Sequence, residues 1–263
     1  MPNHSQLKPK IIAIASQKGG TGKTTTTVSL SHALAEHGKK VLLVDLDPQS
    51  SLSISLGVNV VNLPKTIYNV LLETEPEISL NSIIIKTGNP NIDLVPANID
   101  LSGAEIELMS EFNREGALRR VLNEVQNNYD FIFIDCPPSL SLLTTNALTA
   151  AQAVLIPIQA DYLAIRGASL LIKTIKKVQK QLNPELKIAG ILVTMYHSQT
   201  IHSNDALNMI KDTFGKLVFN AIIKYSVKAK EAPVSGQSIL TYAPQSEVAK
   251  SYRALAQEFL NYD

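Results

Sequence analysis

The feature of this sequence that most limits its fold is a glycine-rich segment between a short apolar run and a helical pattern. The apolar run covers Lys10–Ala15, a helix is predicted over Lys23–His37, and between them the chain reads Lys18-Gly19-Gly20-Thr21-Gly22-Lys23-Thr24-Thr25. Glycines here allow the backbone to turn consecutive N–H groups toward one anion, and the N-terminus of the following helix adds the positive end of its dipole. A strand, a glycine-rich loop and a helix in this order predict a phosphate-binding unit.

Two side chains of this loop occupy positions that carry chemistry. The Lys23 ammonium group would neutralise charge on the β- and γ-phosphates of a nucleotide, and the Thr24 hydroxyl would bind Mg²⁺. The usual eight-residue motif starts with glycine, whereas this sequence has Gln17 at that place and Lys18 with two additional glycines inside the loop. The loop therefore predicts a nucleotide site of an unusual type, and a purely structural glycine turn is the alternative.

Along the rest of the chain, short apolar runs alternate with helix-length amphipathic segments, a pattern typical of parallel strands buried between two helical layers. We predict strands at Lys10–Ala15, Lys40–Asp45, Ile92–Val95, Asp130–Asp135, Ala153–Ile158, Lys187–Val193 and Leu217–Ile222, and a small strand at Ile83–Ile85. We predict helices at Lys23–His37, Thr66–Leu72, Arg114–Asn127, Leu140–Ala150, Gly167–Leu182, Ser203–Phe214 and Ser246–Leu260. The expected fold is a doubly wound α/β domain over 10–263, with a mostly parallel sheet and helices on both faces, after a flexible N-terminus at 1–9.

Aspartates follow two of the predicted strands. The run Val41–Val44 leads into Asp45-Leu46-Asp47-Pro48-Gln49, and Phe131–Ile134 leads into Asp135-Cys136-Pro137-Pro138-Ser139. The carboxyl ends of strands in an open parallel sheet converge on the ligand crevice, so these acids should gather near the metal bound by Thr24. Asp135 would then hold Mg²⁺ through water, and Asp47 would lie near the metal and orient or activate the attacking water. Each aspartate alone could simply cap a turn.

Composition limits the class of protein further. Cys136 is the only cysteine, which excludes a disulfide framework and any site that needs several thiolates, and the sequence has no signal-peptide pattern and no apolar run long enough for a membrane span. We therefore expect a cytoplasmic protein. Residues 1–161 hold 11 Lys and Arg against 16 Asp and Glu, whereas residues 162–263 hold 13 against 7. The basic second part favours a polyanionic partner.

Taken together, these motifs resemble the ParA/Soj/MinD family of deviant Walker ATPases, and the resemblance extends from Ile11 to Phe259. It is carried by Gln17–Thr25, Val41–Gln49, Asp130–Ser139 and the triplet Glu231-Ala232-Pro233. The resemblance implies a P-loop NTPase fold and a weak intrinsic ATPase activity, with ATP and Mg²⁺ as ligands. It also implies that Lys18 is the signature lysine, which reaches the partner subunit's phosphates in a sandwich homodimer formed only on ATP.

The same resemblance assigns site residues. Lys18, Lys23 and Asp47 would be catalytic, Thr24, Asp47 and Asp135 would serve the metal, and adenine would lie near Thr194 and Met195. Met195 could equally be ordinary core. The full set expected to contact the nucleotide is Lys18, Gly19, Gly20, Thr21, Gly22, Lys23, Thr24, Thr25, Pro137, Thr194 and Met195.

A stripe of lysines suggests which partner an ATPase of this kind would bind. Lys173, Lys176, Lys177 and Lys180 recur on one face of the predicted helix Gly167–Leu182, and Lys228 and Lys230 add charge in the same half. We expect non-specific DNA binding through phosphate contacts and nucleoid association, with a solvated helix face as the alternative. Relatives carry arginines in stretches where this chain has Gln199-Thr200-Ile201 and Lys224–Lys228, and often glutamate at Arg166, which weakens the transfer of their DNA contacts and of one contact across the dimer.

The expected function is therefore partition or positioning: segregation of a plasmid or chromosome, or placement of a protein cargo, with hydrolysis stimulated by a ParB-like or other adaptor. We expect no membrane partner, although a MinD-like membrane-cycling regulator is the first alternative. That role would need a basic amphipathic C-terminal helix, and acidic residues offset the basic ones in Ser246–Asp263. A small-molecule enzyme that uses the same loop also stays open. An electron carrier of the nitrogenase iron-protein type is excluded by the single cysteine.

Overall fold

The computed structural model describes residues 10–72 and 78–261. The N-terminal segment 1–9, predicted to be flexible, lies outside these residues. The strands are β1 Lys10–Ile14, β2 Val41–Asp45, β3 Ile85–Lys86, β4 Ile92–Val95, β5 Phe131–Asp135, β6 Ala153–Gln159 and β7 Lys187–Thr194. The α-helices are α1 Lys23–Glu36, α2 Ser51–Ser55, α3 Ile67–Leu71, α4 Leu101–Leu108, α5 Ala117–Leu122, α6 Leu142–Ala150, α7 Tyr162–Gln181, α8 Ile201–Phe214, α9 Lys228–Glu231, α10 Ile239–Tyr242 and α11 Glu247–Leu260.

The described strands form one seven-stranded sheet in the order β3-β4-β2-β5-β1-β6-β7. All neighbouring pairs are parallel except β3 with β4, which is antiparallel at one edge. The register pairs Asp45 with Asp135 across β2 and β5, and Ile14 with Asp135 across β1 and β5. The ends of β1, β2 and β5 therefore bring the glycine-rich loop and the aspartate segments to one edge of the sheet.

Two apolar clusters cover the two faces of this sheet. Side chains alternate along a strand, so Ile11 and Ala13 of β1 belong to one cluster while Ile12 and Ile14 belong to the other. The first cluster includes residues of α4, α5, α6 and α7, and the second includes residues of α1 and α11. The prediction of a mostly parallel α/β sheet with helices on both faces is confirmed.

The predicted strand Leu217–Ile222 is wrong. A 3-10 helix covers Gly215–Leu217, and the chain then runs beside β7 with a single bridge between Ile191 and Val218. Two successive backbone N–H groups, those of Asn220 and Ala221, donate to the Glu258 carboxylate of α11 at 3.0 and 2.7 Å. A side chain thus replaces the ladder partner that a regular strand would use.

The prediction of one continuous helix at Arg114–Asn127 is also wrong. It consists of a 3-10 helix at Arg114–Gly116, the short helix α5, and a second 3-10 helix at Gln126–Asn128. Beyond α5, Glu124 N donates to Val121 O and Val125 N donates to Leu122 O, so the last turns tighten from the α to the 3-10 pattern.

Helix α7 begins earlier than the predicted Gly167. It starts at Tyr162, because the Asp161 carboxylate accepts a hydrogen bond from Ala164 N at 2.8 Å and caps the helix. In the irregular region between 50 and 110, the helices α2 and α4 were not predicted. The small strand lies at Ile85–Lys86 and not at Ile83–Ile85, since a 3-10 helix occupies Leu80–Ile83.

Within 10–72 and 78–261, no helix combines the length and the apolar character that a membrane-spanning segment requires.

Candidate nucleotide site

The glycine-rich loop leaves β1 and enters α1 with two glycines in the left-handed region. Gly20 has φ 72° and Gly22 has φ 82°, angles that side chains with a Cβ adopt only at a cost of roughly 1–2 kcal/mol. Gly22 is also the N-cap of α1 and has no side chain to satisfy the first N–H groups of the helix. The loop therefore presents free backbone donors and a helix dipole to an anion.

Lys23, Thr24 and Asp135 lie together at the base of this loop. Lys23 is buried with 7% of its surface exposed, and Thr24 Oγ1 donates to Asp135 Oδ2 at 2.7 Å. Thr27 Oγ1 lies 3.4 Å from Asp135 Oδ1, one turn further along α1. The structure thus brings the predicted hydroxyl and the predicted carboxylate of the metal site into direct contact.

Burial perturbs two neighbouring carboxyl groups at this edge. Burial, and then the nearby Asp45, raise the pKa of Asp135 to about 7, although Thr24 and Lys23 oppose the shift. Burial also raises the pKa of Asp45 to about 6, against hydrogen bonds donated by Ser53 and Asp47 N. Two buried acids side by side are poorly compensated in the free protein, and a bound cation would relieve both.

Asp47 lies on the segment that leaves β2. Its backbone N–H donates to Asp45 Oδ1 at 3.3 Å, and its own Oδ1 accepts from Gln49 N at 2.9 Å. Asp45 Oδ2 accepts from both Ser53 N and Ser53 Oγ of α2, at 2.8 and 2.7 Å. Asp45 therefore ties both Asp47 and α2 to the end of β2, a role that sequence reasoning missed.

Lys18 is held by its own chain. Its Nζ donates to Asp161 Oδ2 at 2.9 Å and to Gln159 Oε1 at 3.0 Å, at the carboxyl end of β6. Gln159 Nε2 donates to Gly20 O at 2.9 Å and so also braces the loop. Sequence reasoning missed Gln159 and Asp161, although both are polar residues at the end of a buried strand, Gln159 as the last residue of β6 and Asp161 two residues later.

The two residues expected near adenine have other contacts in this structure. Thr194 is buried, and its Oγ1 donates to Thr21 O at 2.8 Å and to Ile158 O at 3.0 Å, so it links β7 to the glycine-rich loop. Met195 has φ 52°, and its sulfur lies 3.3 Å from Gln159 Nε2. Pro137 is buried after β5, and Gly19 faces the adjacent Pro138.

The lysines predicted to bind DNA lie on α7 and α9. The four lysines of α7 are exposed on a helix whose buried face includes Leu171, Ile175 and Val178. Lys228 is exposed in α9, and Lys230 Nζ lies 4.8 Å above the ring of Tyr225, which stacks on His197. The structure does not bring the α7 stripe and the nucleotide loop together.

The donor set fits Mg²⁺ and a nucleotide. No three His, Cys, Asp or Glu residues in the described part of the chain form a metal-binding group. Mg²⁺ is commonly held by one or two protein oxygens together with phosphate oxygens and water, which the Thr24 hydroxyl and the Asp135 carboxylate can supply. The raised pKa of Asp135 is what a carboxyl group built to meet a cation would show in its absence.

The chain is similar in sequence to known proteins over most of its length. Residues 9–188 match a family described as an AAA domain. The chain is 45% identical over 249 residues to the sporulation initiation inhibitor protein Soj of Bacillus subtilis, covering 95% of this chain and 97% of that protein. It is 44% identical over 254 residues to the chromosome-partitioning ATPase Soj of Treponema pallidum, covering 97% and 98%.

Solved structures agree with these relatives. A structure described as cobyrinic acid a,c-diamide synthase of Mycobacterium smegmatis, with a bound ATP analog and magnesium, matches with a TM-score of 0.84 and 40% identity over 96% of this chain and 95% of that one. The septum site-determining protein MinD of Pyrococcus horikoshii, complexed with Mg-ADP, matches with a TM-score of 0.79 and 28% identity over 95% and 96%. Both structures hold magnesium and an adenine nucleotide or its analog.

Proposed function

Because this chain belongs to the ParA/Soj/MinD family of P-loop ATPases, we propose that it is a partition or positioning switch that dimerises on Mg·ATP and binds DNA without sequence preference. The observation that carries the proposal is the contact between Thr24 and Asp135 beneath an uncapped, glycine-rich helix N-terminus. The name of the Treponema pallidum relative, a chromosome-partitioning ATPase, supports partitioning, and the basic second part of the chain supports a polyanionic partner.

The chain's own residues account for hydrolysis as follows. The loop N–H groups and Lys23 hold the β- and γ-phosphates, and Asp47 orients a water in line with the γ-phosphorus. The water forms a new bond to phosphorus while the bond to the β–γ bridging oxygen breaks, which yields ADP and phosphate. Mg²⁺, held by Thr24 and Asp135, would neutralise charge on the β- and γ-oxygens when it is bound.

Lys18 makes the cycle depend on a second copy. In the proposed dimer each Lys18 contacts the partner's phosphates, so the triphosphate joins the two subunits and its hydrolysis releases them. In this structure Lys18 is paired with Asp161 and Gln159, so it must leave both to make that contact. Intrinsic turnover is slow in this scheme, and an adaptor accelerates it.

We favour DNA over a membrane as the partner, because the position of α11 argues against membrane cycling. Its apolar side chains Val248, Leu255 and Phe259 are buried, and Arg253 forms two hydrogen bonds with the Glu36 carboxylate of α1, at 2.7 and 2.8 Å. A MinD-like membrane anchor would need such a face to be free. The exposed lysines of α7 provide phosphate contacts that dimerisation doubles.

Three single variants test the switch. Lys23→Ala should lose nucleotide binding, Lys18→Ala should bind ATP as a monomer, and Asp47→Ala should remain an ATP dimer because hydrolysis is blocked. The measurements are nucleotide affinity by calorimetry, mass by analytical ultracentrifugation and binding to random-sequence DNA over a salt series. A monomeric Asp47→Ala protein at saturating Mg·ATP, or DNA binding that does not respond to salt, would contradict the proposal.

One structural neighbour supports a second candidate. The Mycobacterium smegmatis structure is described as a cobyrinic acid diamide synthase, and it is 40% identical to this chain. A synthase of that kind should consume ATP in step with amide formation on a carboxylic acid. ATP turnover that rises with cobyrinic acid and an ammonia source, and stays unchanged with DNA, would favour the synthase over the switch.

A further inference from the structure

A polar cleft lies at the end of the sheet opposite to the nucleotide loop. Lys40 directly precedes β2 and Tyr129 shortly precedes β5, and both line the cleft, whereas Asp45 and Asp135 end these two strands. At about 3.3 Å per residue, β2 separates the cleft from the aspartates by roughly 16 Å. The cleft has a volume of about 710 Å³, which is typical of small-molecule sites. It is therefore a candidate binding site separate from the nucleotide site.

Side-chain amides make up much of the lining of this cleft. Four of its ten lining residues are asparagines, namely Asn81, Asn91, Asn127 and Asn128. Three of the four are exposed, and none of the four side-chain amides forms a hydrogen bond with another residue of 10–72 or 78–261. An amide group both donates and accepts hydrogen bonds, as a hydroxyl group does. The four amides thus match a ligand that is rich in hydroxyl groups.

Asp93 adds an acceptor without a donor to the same cleft. It lies within the apolar strand β4 and is only 6% exposed. Its Oδ2 accepts from Lys86 Nζ at 2.7 Å and from Tyr129 Oη at 2.8 Å, whereas its buried Oδ1 has no partner in the described part of the chain. A buried acceptor without a donor costs free energy, which a ligand hydroxyl would recover. The Lys86 side chain is 80% exposed, so it can move aside and let such a group reach the carboxylate.

The charges at the cleft balance, so neither an anion nor a cation is favoured. In the described part of the chain, three cationic and three anionic residues line the cleft or contact its lining segments, namely Lys39, Lys40 and Lys86, and Asp93, Glu124 and Asp130. The lining residues Ile84 and Pro90 add apolar surface for the C–H groups of a ligand. Apolar surface beside convergent polar groups is typical of a small-molecule site.

We propose that this cleft binds an uncharged, hydroxyl-rich molecule of the size of a mono- or disaccharide. Ligand hydroxyl groups donate to Asp93 and to the asparagine carbonyl oxygens, and they accept from the asparagine amides and from Lys40 and Lys86. The site does not overlap the nucleotide loop. The proposal is therefore independent of the proposed function and stands or falls by its own test.

NMR titration of the ¹⁵N-labelled full-length protein tests the proposal, with saturating Mg·ADP to keep the nucleotide site occupied. The neutral probes are glucose and trehalose, and the charged probes are glucosamine and glucose 6-phosphate. At least one neutral probe should shift asparagine side-chain amide resonances with a dissociation constant of about 1 mM or lower, a modest affinity for a ligand of this size. Neither charged probe should bind more tightly than the neutral ones.

Three variants locate the binding site. Asn81→Ala/Asn128→Ala changes two exposed residues and should lower the affinity about fivefold or more, since each lost hydrogen bond is worth about two- to tenfold. Asp93→Asn keeps the side-chain volume but has one acceptor oxygen, so it should weaken binding severalfold. Asn208→Ala, at an exposed asparagine of α8, is the matched control and should bind as the parent protein does. Melting temperatures show whether each variant is folded, and the double variant alone decides if Asp93→Asn is not.

Two kinds of result would overturn the proposal. The first is no binding of either neutral probe to the parent protein, or equal binding to the parent protein and the double variant. The second is binding of glucose 6-phosphate or glucosamine about tenfold tighter than that of glucose, which would assign the cleft to an anion or to a cation.

Discussion

Among single residues, Asp135 shows most clearly that this fold is built around a ligand. It is buried, it lies beside Asp45 across two paired strands, and its pKa is raised to about 7. The hydrogen bond from Thr24 and the charge of Lys23 oppose the rise in the pKa of Asp135 but do not cancel it, so the ionised carboxyl group remains costly to bury in the free protein. Its position next to Thr24 therefore reflects a cost in stability that is tolerated because a cation can be bound there.

This cost predicts a pH dependence of stability. The pKa of Asp135 is about 3.8 when unfolded and about 7 when folded, so the folded state binds the proton more tightly. Its contribution to the free energy of unfolding therefore falls as pH rises from about 4 to 7, and it stays low above that. Asp135→Asn should raise the Tm of the nucleotide-free protein on the order of 5 °C at pH 8, and raise it little at pH 4.

Differential scanning calorimetry in EDTA at the two pH values checks this prediction. Asp212→Asn, a change at an exposed aspartate on α8, is the control and should leave Tm unchanged. A gain for Asp135→Asn that is equal at both pH values would mean that packing and not charge limits stability. A loss at pH 8 would mean that the carboxylate stabilises the free protein.

Among the elements, α7 separates a buried apolar face from an exposed lysine face, so the predicted DNA contacts can be removed without changing the core. Its lysines are exposed and make no contribution to the core, so Lys173→Ala/Lys177→Ala should leave Tm within about 1 °C. If each lysine contacts one phosphate, the slope of log affinity against log salt should become less steep by about 0.9 per lysine.

Affinity for random-sequence DNA in Mg·ATP at several salt concentrations measures this slope. Lys187→Ala is a matched control, because Lys187 begins β7 at the end of the sheet opposite to the nucleotide loop. An unchanged slope in the α7 variant would mean that the stripe is only a solvated face. The DNA surface would then have to lie at other residues, such as Lys228.

The elements also show what the sequence could predict. Six of the strands, and the alternation of strands and helices, could be predicted from the sequence. The apolar runs and the glycine-rich loop that indicate them are each formed by neighbouring residues. The predicted strand at Leu217–Ile222 is wrong because two of its N–H groups, those of Asn220 and Ala221, donate to Glu258, a residue far along the chain, and only Phe219 N donates to β7. Helix α7 began earlier than predicted because Asp161 caps it, and the same carboxyl group holds Lys18. The contacts of Glu258 with Asn220 and Ala221, and of Lys18 with Asp161, join distant parts of the chain and could not be predicted from local patterns. The Asp161 cap lies only three residues before Ala164, so it is a local signal that the prediction of α7 missed.

At the scale of the whole molecule, the pairing of Lys18 with Asp161 and Gln159 sets a condition on dimerisation. In the proposed dimer, Lys18 must exchange these contacts for the partner's phosphates, so the pairing favours the monomer. The ion pair is partly exposed, with 47% of the Lys18 side chain accessible, so each copy is worth only about 0.2–1 kcal/mol. Two copies open per dimer, so the effect is about 0.4–2 kcal/mol, or about a two- to thirtyfold change in the dimer dissociation constant.

Asp161→Asn isolates this effect. The amide oxygen can still accept the hydrogen bond from Ala164 N and cap α7, while the charge that holds Lys18 is gone. The variant should dimerise in Mg·ATP with a dissociation constant about two to thirty times lower, and the difference should shrink at high salt because the lost pair is screened. Lys18→Ala/Asp161→Asn should remain a monomer, since without Lys18 no cation reaches the partner's nucleotide.

Sedimentation equilibrium over a range of ATP and salt concentrations measures both proteins. Weaker dimerisation of Asp161→Asn would instead mean that Asp161 acts within the dimer. The contact between Lys18 and Asp161 in the monomer would then not oppose dimerisation.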